Sequence, residues 1–217
     1  MPAQHVFVET NWVVDCFAPA HLRVPAAFEL LMKANAGEIE LHIPGICLSE
    51  APKPMRTKFQ PRRHADAIRA YLRKAREEDK LTTETDLAVR QTLDRYEEDV
   101  LRHLERLEES IATLRKENGV DVFSLSEPML ERGLSLGLER LELKPFDNAV
   151  LAAILVRAAE IKKGAPASEL YFCELDTDLQ PWDSNGNIKP PLAKLYDDAR
   201  ICVYGDFSMT SPQRPDG

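Results

Sequence analysis

Short apolar runs alternate along this chain with longer segments of helical spacing. Residues 5–9 (His5-Val6-Phe7-Val8-Glu9) read as a strand closed by an acid, and Ile39 to Ile43 alternates apolar and polar positions as a strand does. Val120–Leu125, Leu170–Leu175 and Ile201–Tyr204 complete a set of about five strands. Between them, Thr10 or Asn11 can cap a helix over Trp12–Phe17, and Pro25 suits the first turn of a helix to about Asn35, ended by Gly37. Ser126 precedes a helix over Glu127–Gly137. An Ala-rich helix runs from Asp147 to about Lys162, with Gly164 closing it, and Pro190 or Pro191 opens a short helix to about Asp198. Strand–helix alternation with right-handed crossovers predicts an α/β fold: a central, mostly parallel sheet covered on both faces, in three layers.

Two stretches break the rhythm. Pro44, Pro52, Pro54 and Pro61 argue against continuous helix there. Residues 61–118 read as a helical hairpin inserted into the α/β domain. Its first helix is basic, and its second carries a stripe of Leu93, Val100, Leu104, Leu107, Ile111 and Leu114 before Gly119 ends it. Such a stripe is expected to pack the hairpin on itself. Its sharper use would be a dimer interface or a partner-docking arm. The domain is then residues 1–207, with Ser208–Gly217 a Pro-rich, polar, disordered tail.

Composition narrows the class. With 217 residues, 44% hydrophobic and 29% charged, the chain can bury one α/β core. No apolar run is long enough for a membrane span, and Met1-Pro2-Ala3-Gln4 leads straight into the first strand without a basic-then-apolar leader. Cys16, Cys47, Cys173 and Cys202 lie far apart in apolar segments and read as reduced, buried hydrophobes of a cytoplasmic protein. The net charge of −8 opposes nonspecific polyanion binding. Charge is distributed unevenly, however: Lys53 to Arg76 holds nine Lys and Arg against the single acid Asp66. Lys53, Arg56, Lys58, Arg62 and Arg63 are therefore candidates for phosphate contact, or else a solvated face balancing the acidic segment that follows.

Candidate chemistry lies in acids at element ends. Glu9 ends the first strand, Glu50 follows Ile46-Cys47-Leu48-Ser49, Asp147 opens the Ala-rich helix, and Asp176 and Asp178 follow the fourth strand. In open parallel sheets such positions converge at the carboxyl ends of the strands. Converging carboxylates repel and call for a cation, and oxygen-only ligands suit Mg²⁺ or Mn²⁺. That pairing points to metal-assisted phosphodiester hydrolysis.

The same residues carry a family resemblance. Val6-Phe7-Val8-Glu9-Thr10-Asn11 resembles the opening of PIN domains. Ser49-Glu50, Asp147-Asn148-Ala149 and Asp176-Thr177-Asp178 match the order of that family's further acids, over residues 5–60 and 120–207. The resemblance implies a PIN-like metal-dependent nuclease acting on RNA, single-stranded more than structured. Glu9, Glu50, Asp147 and Asp176 would be catalytic; Glu9, Asp147, Asp176 and Asp178 would hold Mg²⁺ or Mn²⁺; Thr10 and Asn11 would support them. It also implies homodimers and, as in the family's toxin members, an inhibitory protein partner or a recruiting one. Two positions depart from the pattern: Glu9 stands where aspartate is usual, and Cys173-Glu174 where a threonine is often found. On them rests an alternative, a catalytically silent PIN-like module binding RNA or protein. A DNA nuclease would use the same phosphate chemistry.

Other signals are weaker. His5, His21, His42, His64 and His103 show no ligand spacing and are assigned to no metal. There is no glycine-rich phosphate loop and no nucleophile elbow. Trp182–Asn187 reads as a surface turn; Tyr71 and Trp182 could stack on RNA bases, with ordinary packing the expected role.

Overall fold

The structure, a computed structural model, describes residues 3–139 and 141–209, without the side chains of Arg63 and His64. Five strands, β1 (Gln4–Phe7), β2 (Glu40–Pro44), β3 (Val120–Phe123), β4 (Glu169–Cys173) and β5 (Ile201–Tyr204), form one sheet in the order β3-β2-β1-β4-β5. Every pairing is parallel. The expected α/β class and strand number are those observed, in a layering consistent with a PIN-like fold. β1, β2 and β4 are buried nearly throughout after an exposed first residue, because both faces of a parallel sheet are covered.

The chain steps from β1 to β2 to β3 in one direction, then crosses back to β4 and β5. Helices α1 (Thr10–Cys16), α2 (Pro25–Asn35), α3 (Gly45–Glu50) and α4 (Pro52–Lys58) pack together beside the first half of the sheet. Further on, α8 (Glu127–Leu138), α9 (Pro145–Gly164) and α10 (Pro190–Ala199) make up the opposite layer. Right-handed crossovers require this division once the strand order reverses. The reversal leaves a switch point between β1 and β4, where open sheets present their crevice. α9 buries Val150 through Leu155 without interruption, as a helix covered on all sides must. No helix among the described residues is long and apolar enough to cross a membrane.

The proline-rich stretch after β2 is not one continuous helix, as expected, but it is helical in three pieces, α3, α4 and α5 (Pro61–Glu77), interrupted at Ala51 and at Phe59–Gln60. Pro52 and Pro61 open helices instead of breaking them, as do Pro25, Pro128, Pro145 and Pro190, because a first-turn proline forfeits no intrahelical bond.

The hairpin reading also changes. α5 packs against the start of α6 (Thr83–Glu105) through a small cluster of Ala65, Leu72 and Leu93. Arg69 pairs with Asp94 and Glu97, and Arg76 with Asp86. From Val100 onward the stripe leaves α5. Val100 and Leu104 of α6, Leu107 and Ile111 of α7 (Leu107–Thr113), and Leu114 of the following 3-10 turn all belong to the main core. Only one end of the segment is packed on itself. Its other end is part of the crossover between β2 and β3.

Smaller corrections follow. Cys202 is half-buried while the other three free cysteines are buried. Tyr71 is 69% exposed, so it is not a packing residue, whereas Trp182 is buried. Ser208 and Met209 are held by the Asp206 carboxylate, so the expected tail does not begin at 208. Thr210–Gly217 lie outside the described residues.

Candidate active site: an acidic crevice at the switch point

Glu9 follows β1 and caps α1. Its Oε1 accepts the Asn11 backbone N–H at 2.7 Å, and the residue is buried. Burial pushes its carboxyl pKa up to about 8, and the Glu50 and Asp176 charges add to this against the Asn11 and Thr10 amides. Thr10, the next residue, donates through Oγ1 to Glu50 Oε2 at 2.5 Å, tying the end of α3 to the start of α1. Asp147 lies in the first turn of α9. Its pKa is raised by burial; Lys144 opposes this, and Asp176, Asp178 and Glu50 reinforce it. Asp147 Oδ2 is sealed from solvent and has no hydrogen-bond partner.

The loop after β4 is built from turns in which each acid accepts an amide two residues on. Glu174 Oε1 accepts the Asp176 N–H at 2.5 Å, and Asp176 Oδ1 accepts the Asp178 N–H at 2.9 Å. The four expected catalytic acids therefore sense one another's charge from four separate elements.

Glu174 is a site residue that the sequence reading missed. It is fully buried at the end of β4, beside the strand that leads to Glu9. Burial raises its carboxyl far above the usual range, and the Glu9 charge is the next cause. The Asn11 side chain favours the charged form electrostatically, yet Glu174 Oε2 has no partner in hydrogen-bonding geometry. Lys144 was also missed. It sits just before α9, pairs with Asp178 Oδ2 at 2.9 Å, and has its own pKa raised by Asp178, Asp147 and Asp176. Asp178 is thus engaged by a lysine in the position expected for a metal ligand.

The basic residues divide in the same way. Arg56 pairs with Glu108, and Lys58 donates to the buried Asp15 at 2.6 Å. Lys53 and Arg62 are exposed and form no ion pair among the described residues. The side chain of Arg63 lies outside the described residues. Trp182–Asn187 is a closed turn in which Asp183 accepts the Asn185 and Asn187 amides, which agrees with the surface-turn reading.

This group of acids, with two unsatisfied carboxylate oxygens, Asp147 Oδ2 and Glu174 Oε2, fits a hard divalent cation in charge and donor type. In spacing it is looser. Among the described residues, no three of its carboxylates bring ligand atoms within 4.8 Å of one another; the group that does so is His5, Glu40 and His42. The chain matches no protein-family model, no curated protein and no solved structure.

Proposed function

We propose that the chain is a Mg²⁺- or Mn²⁺-dependent phosphodiesterase of the PIN type that hydrolyses RNA. The observation carrying this reading is the set of acids that follow β1 and β4 at the switch point, where Glu9 and Asp147 each feel the charges of Glu50 and Asp176 and the oxygens Asp147 Oδ2 and Glu174 Oε2 stand without partners. Glu9, Asp147 and Asp176 would hold the ion, with Glu174 close enough to feel the Glu9 charge. When bound, the ion supplies a water of lowered pKa and a counter-charge for the phosphate oxygens. Glu50, partly exposed and oriented by Thr10, is the group suited to accept a proton from the attacking water. Glu9 holds a proton near neutral pH when no cation offsets its burial, so metal loading and its deprotonation are coupled. Among the described residues of the basic segment, Lys53, Arg62 and Arg73 are the exposed cations without an ion pair, free to meet a phosphate backbone.

The test is single-turnover cleavage of labelled single-stranded and structured RNA with Mn²⁺, Mg²⁺ or EDTA. Cleavage is expected only with metal, and Asp147→Asn should lower its rate by at least 100-fold, on the order of the loss when a charged group acting on the transition state is removed. Equal background in both proteins, with RNA retained on a filter, would select a second reading: a catalytically silent module that binds RNA or a protein. That reading is favoured by the wide spacing of the carboxylates and by the Lys144–Asp178 pair.

A further inference from the structure

We propose that His5, Glu40 and His42 form a second metal site, for a borderline divalent ion of the Zn²⁺ class, that clips β1 to β2. It lies toward the amino ends of these strands, whereas the acidic crevice lies past their carboxyl ends, and it does not depend on that crevice's function. The parallel register sets His5 opposite Glu40 and Phe7 opposite His42. Alternation along each strand then puts His5, Glu40 and His42 on one face. His5 Nδ1 lies 2.9 Å from His42 Nε2 and 3.2 Å from Glu40 Oε2, and the three ligand atoms fall within 4.8 Å of one another.

The proton count makes this cluster a cation site. On the far side of the His42 ring, Nδ1 lies 2.9 Å from Asp121 Oδ2, the oxygen that Arg157 also grips at 2.8 Å. A carboxylate oxygen held by a guanidinium accepts and does not donate, so His42 carries its proton on Nδ1. Its Nε2 lone pair therefore points at His5. A lone pair, a carboxylate oxygen and His5 Nδ1 are left to share at most one proton. A metal ion in that proton's place would engage all three.

Two imidazoles and one carboxylate suit Zn²⁺ or Co²⁺ better than Mg²⁺. Tetrahedral bonds of about 2.0–2.1 Å set ligand atoms about 3.3 Å apart, close to the separations of 2.9 and 3.2 Å found here. Asp121 orients His42 as the outer carboxylate of a histidine metal ligand does. Both histidines are buried, while Glu40 is exposed and opens a route for the ion and for a completing water.

The experiment is a Co²⁺ titration of the tag-free full chain in excess Mg²⁺, followed by visible absorption, with Zn²⁺ calorimetry in parallel. One saturable equivalent is expected. Glu40→Gln, an exposed change that leaves the fold intact, should weaken binding at least about tenfold, and Asp121→Asn about 10- to 100-fold. Asp147→Asn should leave binding unchanged, and Zn²⁺ should raise the melting temperature of the wild type but not of His42→Gln. No saturable equivalent would overturn the proposal, as would binding indifferent to both Glu40→Gln and Asp121→Asn. In either case the cluster is a hydrogen-bonded histidine pair only.

Discussion

The Glu9 carboxyl ties the stability of the fold to pH. Its folded pKa of about 8 lies above the unfolded carboxylate value, so the folded chain holds more protons between these two values. Stability from this group is therefore fully present below pH 4, falls as pH rises, and is lost above pH 8. The loss is of the order of 5 kcal/mol at most. Urea titrations of the metal-free protein should show a lower midpoint at pH 9 than at pH 6. Glu9→Gln, which keeps the oxygen that accepts the Asn11 amide, should flatten that dependence. A wild-type midpoint that does not fall with pH would mean that the buried carboxyl is solvated. At this scale the sequence was partly legible. Glu9 stood out because an acid ended an apolar run. Glu174 did not, because nothing local marks a strand-end glutamate as fully buried; its burial follows from β4 lying between β1 and β5. The His5–His42 contact was hidden for a similar reason, since the two are 37 residues apart and meet only through strand register.

Among the elements, β3 is entered through a close approach that glycine alone permits. Gly119 has φ +66°, and a Cβ there would stand 2.2 Å from the Ala34 carbonyl oxygen. Gly37 has φ +74° with nothing within 4 Å. Gly119→Ala should destabilise by about 2 kcal/mol or more, and Gly37→Ala by about 1 kcal/mol, the backbone contribution alone. Denaturant midpoints separate the two; equal losses would mean that the Ala34 contact yields freely. α5 and α6 offer a second test. Leu72 belongs to the small outer cluster and Leu107 to the main core. Leu72→Ala should release amide protection in α5 while the sheet stays protected, whereas Leu107→Ala should cost about 2–5 kcal/mol globally. The stripe from Leu93 to Leu114 was visible as periodicity, but periodicity does not identify the surface a helix faces. Its division between two clusters comes from tertiary packing.

For the whole molecule, the basic segment is smaller electrically than its composition suggests. Arg56, Lys58, Arg69, Lys74 and Arg76 are paired with acids, which leaves Lys53, Arg62 and Arg73 as exposed cations without an ion pair among the described residues. On the proposed function, RNA affinity should therefore depend modestly on salt, with a log–log slope of about −2 to −3, well short of the value nine free cations would impose. Lys53→Glu with Arg62→Glu and Arg73→Glu should bring that slope near zero. A steep slope in the wild type would mean that the ion pairs open on binding. The α/β class and strand number were legible because each strand is short, apolar and bounded. Strand order was not, since it is decided by which faces the crossovers cover.

Because the main core takes up α6 only from Tyr96 onward, the turn between α5 and α6 lies at the free end of a beam anchored elsewhere. Asp79, exposed there with φ 52°, is where the chain can be cut and a guest domain or fluorophore spliced in. The beam would carry the cargo outward while the crevice behind it stayed whole.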